Sequence, residues 1–119
     1  MRFLVTGISG FVSPYLARHL LNNGHIVYGL LHNTPSKVIK DVDYVVGDLC
    51  EINSLTYLKE YKFDGIFNLG ALTHPPTSFK EPQLYFKTNA LGAVNICEVF
   101  GENSLIMNCS SPEVYGICP

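Results

Sequence analysis

Five short, largely apolar runs alternate with stretches of helical character along the whole chain, and that alternation limits the fold more than any other feature. Arg2 to Thr6 (RFLVT), Ile26 to Leu31 (IVYGLL), Tyr44 to Val46, Gly65 to Leu69 (GIFNL) and Leu105 to Cys109 (LIMNC) read as strands. Their apolar positions are consecutive rather than alternate, the pattern of strands buried on both faces. Phe11 to Asn23 reads as a helix, because Val12, Leu16 and Leu20 recur at i, i+4 and i+8 with Ala17 and Leu21 alongside. Pro14 falls in its first turn, where a missing N–H has no partner to lose, and Asn23-Gly24 supplies the stop. Asn53 or Ser54 caps a helix to about Tyr61, and a long helix runs from about Pro82 to Phe100. A proline-containing loop, His74 to Ser78, precedes the long helix, and residues 110–119 read as loop. Parallel strands joined by right-handed helical crossovers predict an α/β, doubly wound parallel sheet of about five strands in the order 3-2-1-4-5.

Composition agrees with a packed domain. Hydrophobic residues make up 47% of the 119 and charged ones 15%, which supplies a core and excludes disorder. No linker, repeat or low-complexity segment divides the chain, so residues 1–119 form one domain. Eight Lys+Arg against ten Asp+Glu give a net charge of −2 with no basic run, which argues against nucleic acid as a partner. Gly, Pro, Asn and Ser break every uncharged stretch before the ~20 residues a membrane span requires. The N-terminal MRFLVTG also lacks the pattern of a signal peptide. Cys50, Cys97, Cys109 and Cys118 show no metal-binding spacing. They read as reduced, mostly buried thiols of a cytoplasmic protein with no metal.

The first strand-to-helix turn carries the clearest chemistry. It reads Thr6-Gly7-Ile8-Ser9-Gly10-Phe11-Val12-Ser13. Gly7 permits the tight turn, and Gly10 lets backbone approach a pyrophosphate at the helix N-terminus. Ser9, Phe11 and Val12 join them as candidate cofactor-binding residues. The spacing is GxxGxxS rather than GxGxxG, with Ser13 where a third glycine is usual.

TGxxGF after the first strand resembles the extended short-chain dehydrogenase/reductases, the NAD-dependent epimerase/dehydratase family. Four further stretches match in order, so the resemblance covers essentially all 119 residues: Gly47-Asp48-Leu49, Asn68-Leu69-Gly70-Ala71, Asn89-Ala90-Leu91-Gly92 and Ser110-Ser111-Pro112-Glu113-Val114-Tyr115-Gly116. It implies a Rossmann-type fold, with Asp48 meeting the adenine. Leu49, Leu69, Gly70, Ala71 and Asn89 then join the cofactor site. Ser111 is implied to hydrogen-bond the sugar hydroxyl that is oxidised. Glu113 makes the pattern most similar to GDP-mannose 4,6-dehydratases, where a carboxylate removes the carbon 5 proton once carbon 4 is a ketone. Nucleotide-sugar 4-epimerase, UDP-glucuronate decarboxylase and a non-catalytic dinucleotide-binding module stay open as alternatives. His74 reads as a loop histidine without catalytic duty.

Cofactor choice is read at the end of the second strand, where NAD enzymes place an acid for the ribose hydroxyls. Leu31-His32-Asn33-Thr34 holds no acid, and Ser36 and Lys37 follow closely. His32 and Asn33 are therefore cofactor candidates, and the balance between NADP and NAD tilts toward NADP. The family's YxxxK does not occur, since each tyrosine lacks a lysine four residues on. The resemblance thus implies the N-terminal part of a longer, truncated enzyme, with the cofactor half, no turnover by itself and a substrate domain elsewhere. Its substrate would be a nucleotide sugar, and a homo-oligomer is one state open to the full-length enzyme.

Overall fold

The computed structural model describes residues 1–33 and 38–117. Five parallel strands form one sheet: β1 (Arg2–Thr6), β2 (Ile26–Leu31), β3 (Asp43–Val46), β4 (Gly65–Asn68) and β5 (Leu105–Asn108), in the order β3-β2-β1-β4-β5. The doubly wound order read from the sequence is therefore the observed one. Neighbouring residues of a strand serve opposite layers. Leu4 and Leu30 pack with Val45, Leu58, Ile66 and Ile96 on one face, while Val5 and Leu31 pack with Ile8, Ala17, Leu20 and Val27 on the other. β5 is the last strand of the sheet in these 119 residues, with Leu105 and Met107 exposed.

The helices differ from the sequence reading in informative ways. Helix α1 spans Ser13–Asn22, so Phe11 and Val12 precede it. Its buried side is Ser13, Ala17 and Leu20 rather than the expected Val12, Leu16 and Leu20, and Val12 is exposed. Gly24, at φ +77°, supplies the left-handed stop. The helix expected from Asn53 or Ser54 is replaced by two 3₁₀ turns, Ile52–Ser54 and Thr56–Tyr61. Ser54 does not cap them. Its hydroxyl donates to the Glu51 carbonyl (2.7 Å) and accepts from the Asp48 N–H (2.8 Å), which ties back the loop after β3. The expected proline loop contains a short helix instead, α2 (Pro75–Lys80), because both prolines fall where their missing N–H groups lose nothing. The long helix consists of α3 (Pro82–Phe86), a π turn (Lys87–Leu91) and α4 (Gly92–Phe100). Pro112–Tyr115 forms a 3₁₀ turn within the expected final loop.

Among the described residues no helix is long and apolar enough to cross a membrane. Cys50 is half-buried and Cys97 and Cys109 are exposed, which corrects the expectation of mostly buried thiols; Cys118 lies outside the described residues.

One buried polar network fixes the carboxyl ends of the three strands at the site. Thr6, Asn68 and Asn108 lie in register across β1, β4 and β5. The Thr6 hydroxyl donates to Asn68 Oδ1 (2.6 Å) and accepts from the N–H groups of Leu69 (3.1 Å) and Gly70 (2.9 Å). Asn68 Nδ2 passes the chain on to Asn108 Oδ1 (2.7 Å). Thr6 is fully buried and its hydroxyl uses its one donor and two acceptor sites. Replacing it by Val keeps the shape and strands three partners, so Thr6→Val is expected to lower stability by about 2–4 kcal/mol. Thr6→Ser, which keeps the hydroxyl, is expected to stay closer to the parent. Urea denaturation midpoints of the three proteins check the order, and a Val variant as stable as the parent would contradict it.

Candidate functional site

The carboxyl ends of β1, β2, β3 and β4 meet at a cleft of about 570 Å³. Parallel sheets place ligands at this end, where the strand order reverses about β1. Its walls are Gly7 to Gly10, Leu30 to Asn33, Gly47 to Cys50 and Leu69 to Leu72, with Leu84 and Thr88 from the long helical segment. A second cavity, of about 410 Å³, lies at the opposite end among Phe63, Asp64, Phe100 and Ser104, away from every residue singled out by the sequence.

The glycine turn is fixed by close backbone contact. Gly7 has φ +63°, and a Cβ there would lie 2.9 Å from the Gly70 Cα and N. Only glycine allows both the dihedral and the approach of the β1 and β4 loops. Ile8 fills a notch opposite, since a Cβ on Gly29 of β2 would fall 2.6 Å from its Cγ1. The Gly7 carbonyl accepts from the Gly10 N–H (2.8 Å) and from the Ser13 hydroxyl (2.7 Å). Ser13 is buried, so this hydrogen bond accounts for a hydroxyl where the fingerprint has glycine. Gly10 is exposed to the cleft, and a Cβ there would press the Gly7 oxygen at 3.0 Å. The turn thus offers bare backbone at the N-terminus of α1, a cradle that fits a pyrophosphate. Ser9 lines the cleft, whereas Phe11 and Val12 are exposed beside it and do not.

The opposite wall is built around Leu49. A Cβ on Gly70 would meet its Cδ1 at 2.6 Å and one on Gly92 would meet its Cβ at 3.1 Å, while Asn95 Nδ2 donates to its carbonyl (2.7 Å). Asp48 Oδ1 accepts from the Cys50 N–H (2.8 Å), and Oδ2 lies 3.5 Å from His32 Nδ1. Both side chains line the cleft, with His32 66% and Asp48 32% exposed. Asn33 lines the cleft beside them. Ser36 and Lys37 lie outside the described residues.

Asn89 is not among the lining residues. Its amide brackets Leu72, accepting from the N–H and donating to the carbonyl, both at 2.8 Å, and so pins the loop after β4 to the π turn. That turn also brings Thr88 Oγ1 to 3.5 Å from Cys50 Sγ. A π turn widens a helix by one residue per turn and often marks a functional site. Cys50, Leu72, Leu84 and Thr88 were not read from the sequence as site residues. A helical register extended through Pro82 to Phe100 hides the π turn, and no motif covers these four. Lys87, on the same turn, is exposed and bonds Glu51 at 2.9 Å; that hydrogen bond, and then the Glu51 charge, raise its pKa.

Ser111 and Glu113 are exposed on the segment following β5, Glu113 within the 3₁₀ turn Pro112–Tyr115. They lie outside the cleft lining, at the same end of the sheet. His74 closes a local turn, with Nδ1 2.7 Å from Thr77 Oγ1.

Known proteins share this family and fold. A model of the "NAD dependent epimerase/dehydratase family" matches residues 3–119. The GDP-mannose 4,6-dehydratase of Yersinia enterocolitica is 30% identical, over 96% of this chain and 36% of its own length. A UDP-glucose 4-epimerase of Pisum sativum is 29% identical, over 97% of this chain and 38% of its own. The crystal structure of a UDP-glucose 4-epimerase from Stenotrophomonas maltophila, with bound NAD and formylated UDP-arabinopyranose, superimposes with a TM-score of 0.86 at 25% identity, covering 100% of this chain and 40% of that one. The chain therefore spans less than half the length of these relatives. Its sequence motifs, its sheet order and the family match over residues 3–119 agree: the chain belongs to the NAD-dependent epimerase/dehydratase family.

Proposed function

We propose that this chain holds NAD(P) in the cleft and forms the cofactor-binding part of a nucleotide-sugar 4,6-dehydratase that works through transient oxidation at sugar carbon 4. The observation that carries the reading is the bare Gly7–Gly10 backbone at the N-terminus of α1, opening onto a 570 Å³ cleft. When bound, the nicotinamide would accept a hydride from the sugar and return it. Gly7, Ser9 and Gly10 would hold the pyrophosphate. Asp48, Leu49, Leu69, Gly70 and Ala71 would face the adenine and nicotinamide sides, and His32 and Asn33 the adenine ribose. Asn89 supports the site through Leu72 rather than by lining it. A cytoplasmic setting belongs to the same reading.

Isothermal calorimetry with NAD and NADP tests the cofactor half. Gly10→Val puts a branched side chain where the phosphates would sit, on an exposed position outside both core clusters, with circular dichroism to verify that the fold survives its pressure on the Gly7 carbonyl. It is expected to weaken binding at least about tenfold, the scale of a lost set of charge-assisted hydrogen bonds. Equal affinity for parent and variant would place the site elsewhere.

Ser111 and Glu113 support the dehydratase half. Ser111 would hydrogen-bond the hydroxyl on sugar carbon 4. Glu113, two residues on, would remove the carbon 5 proton that a neighbouring ketone acidifies, and the carbon 6 hydroxyl would leave. A 4-epimerase has no need of that base. The similarity to the Yersinia enterocolitica dehydratase favours this reaction, and the similarity to the pea epimerase favours the simpler one. Because no YxxxK occurs among these 119 residues, the test uses a polypeptide that joins them to a Tyr–Lys pair. In deuterated water, Glu113→Gln is expected to slow elimination by about 10²–10⁴-fold and spare the first oxidation. Undiminished 4-keto-6-deoxy product with full deuterium at carbon 5 would exclude the role. Carbon dioxide released from a glucuronate substrate would identify a decarboxylase.

A further inference from the structure

We propose that His32 makes the choice between the two dinucleotides depend on pH, with protonation favouring the one that carries a 2′-phosphate; this rests on the reading of the cleft as a dinucleotide site. Three described lining residues titrate or carry charge: His32, Asp48 and Cys50. Of these, His32 alone is able to become a cation. It stands just past the carboxyl end of β2, the position from which a doubly wound sheet recognises the adenine ribose. There a carboxylate would bind two free ribose hydroxyls and an arginine would bind a 2′-phosphate. This chain has neither at His32 or Asn33.

The nearest charge opposes a phosphate. Asp48 Oδ2 lies 3.5 Å from His32 Nδ1, from the loop that follows β3. The Asp48 carboxylate is held in place by the Cys50 N–H. Lys87 and Glu51, 2.9 Å apart, satisfy each other and lie outside the lining. With a neutral imidazole, the described wall at the ribose end therefore carries one negative charge, which repels a phosphate monoester. Protonation gives the ring two N–H donors. Nδ1–H then faces Asp48 and offsets its charge, and Nε2–H is left to donate to a phosphate oxygen. An unphosphorylated ribose gains no such charge pairing. Histidine is the side chain type able to switch between neutral and cationic forms near neutral pH. Linkage requires the converse as well: binding of the 2′-phosphorylated dinucleotide must draw a proton onto His32.

The experiment compares NAD and NADP binding to the full 119-residue chain by calorimetry from about pH 8.5 to about pH 6.5, a range in which the phosphate monoester, whose second proton leaves near ~6, stays largely dianionic. The parent chain is expected to shift its affinity ratio toward NADP by about five- to tenfold as pH falls, the scale of one partly exposed charge-assisted contact. His32→Gln is expected to give a ratio that does not move with pH. His32→Arg should favour NADP at every pH. NADP binding should also take up protons, seen as a dependence of the heat on buffer ionisation, and NAD binding should not. His32 is 66% exposed, so both variants are expected to keep the fold, which circular dichroism verifies. A flat ratio in the parent, or the same slope in His32→Gln, overturns the inference while NAD binding leaves the cofactor reading standing. Failure of both dinucleotides to bind at any pH overturns the two together.

Discussion

The site depends on how closely the chain leaving β1 approaches the chain leaving β4. At Gly7 and Gly70 the two backbones meet with no room for a Cβ on Gly7. Peptide groups brought so near each other must have their hydrogen bonds satisfied within the protein. The Thr6 hydroxyl does this for Leu69 and Gly70 and hands its own proton to Asn68. One buried side chain therefore sets both the spacing of the strands' carboxyl ends and the path of the loop that walls the cleft. Asn68 and Asn108 extend the same restraint to β5 and hence to the segment bearing Ser111 and Glu113.

A second restraint works by size. Leu49 inserts its side chain between Gly70 and Gly92, with its carbonyl held by Asn95. Ile8 fills the space above Gly29 in the same manner. In each case a branched side chain seats on glycine, so a methyl group added at any of the three glycines would press on that side chain. This packing fixes the glycine-turn wall of the cleft, where the lining at Gly7 and Gly10 is backbone.

Much of this was legible in the sequence because local signals and the fold agreed. The consecutive apolar runs located all five strands within a residue, and the right-handed crossover rule ordered them. The TGxxGF turn was read correctly in position because Gly7 needs a positive φ that few other residues tolerate. What was not legible depended on tertiary contacts. Val12 matched the helical period, yet the first turn of α1 buries Ser13, whose hydroxyl bonds the Gly7 carbonyl. Ser54 had the composition of a cap but serves the Asp48 loop. The π turn at Lys87–Leu91 carries no signal in composition, so the lining role of Thr88 and the bracketing of Leu72 by Asn89 could not be foreseen.

The two ends of the cleft differ in kind. At the glycine turn, Thr6 and Ser13 are buried with their hydroxyls satisfied, Ser13 by the Gly7 carbonyl and Thr6 by Asn68 Oδ1 and the Leu69 and Gly70 N–H groups, so that end is rigid and presents mainly backbone. At the end of β2, His32 and Asp48 are partly exposed and joined only by a 3.5 Å contact. A partly exposed pair of this sort contributes little to stability, so substitution at His32 is expected to leave the fold intact. In the proposed dinucleotide site, binding strength at the rigid end and discrimination at the exposed end would therefore be separable. There, cofactor preference would follow the side chain and charge at the end of β2, whereas a change at Gly7, Thr6 or Gly70 disturbs the frame on which both ends rest.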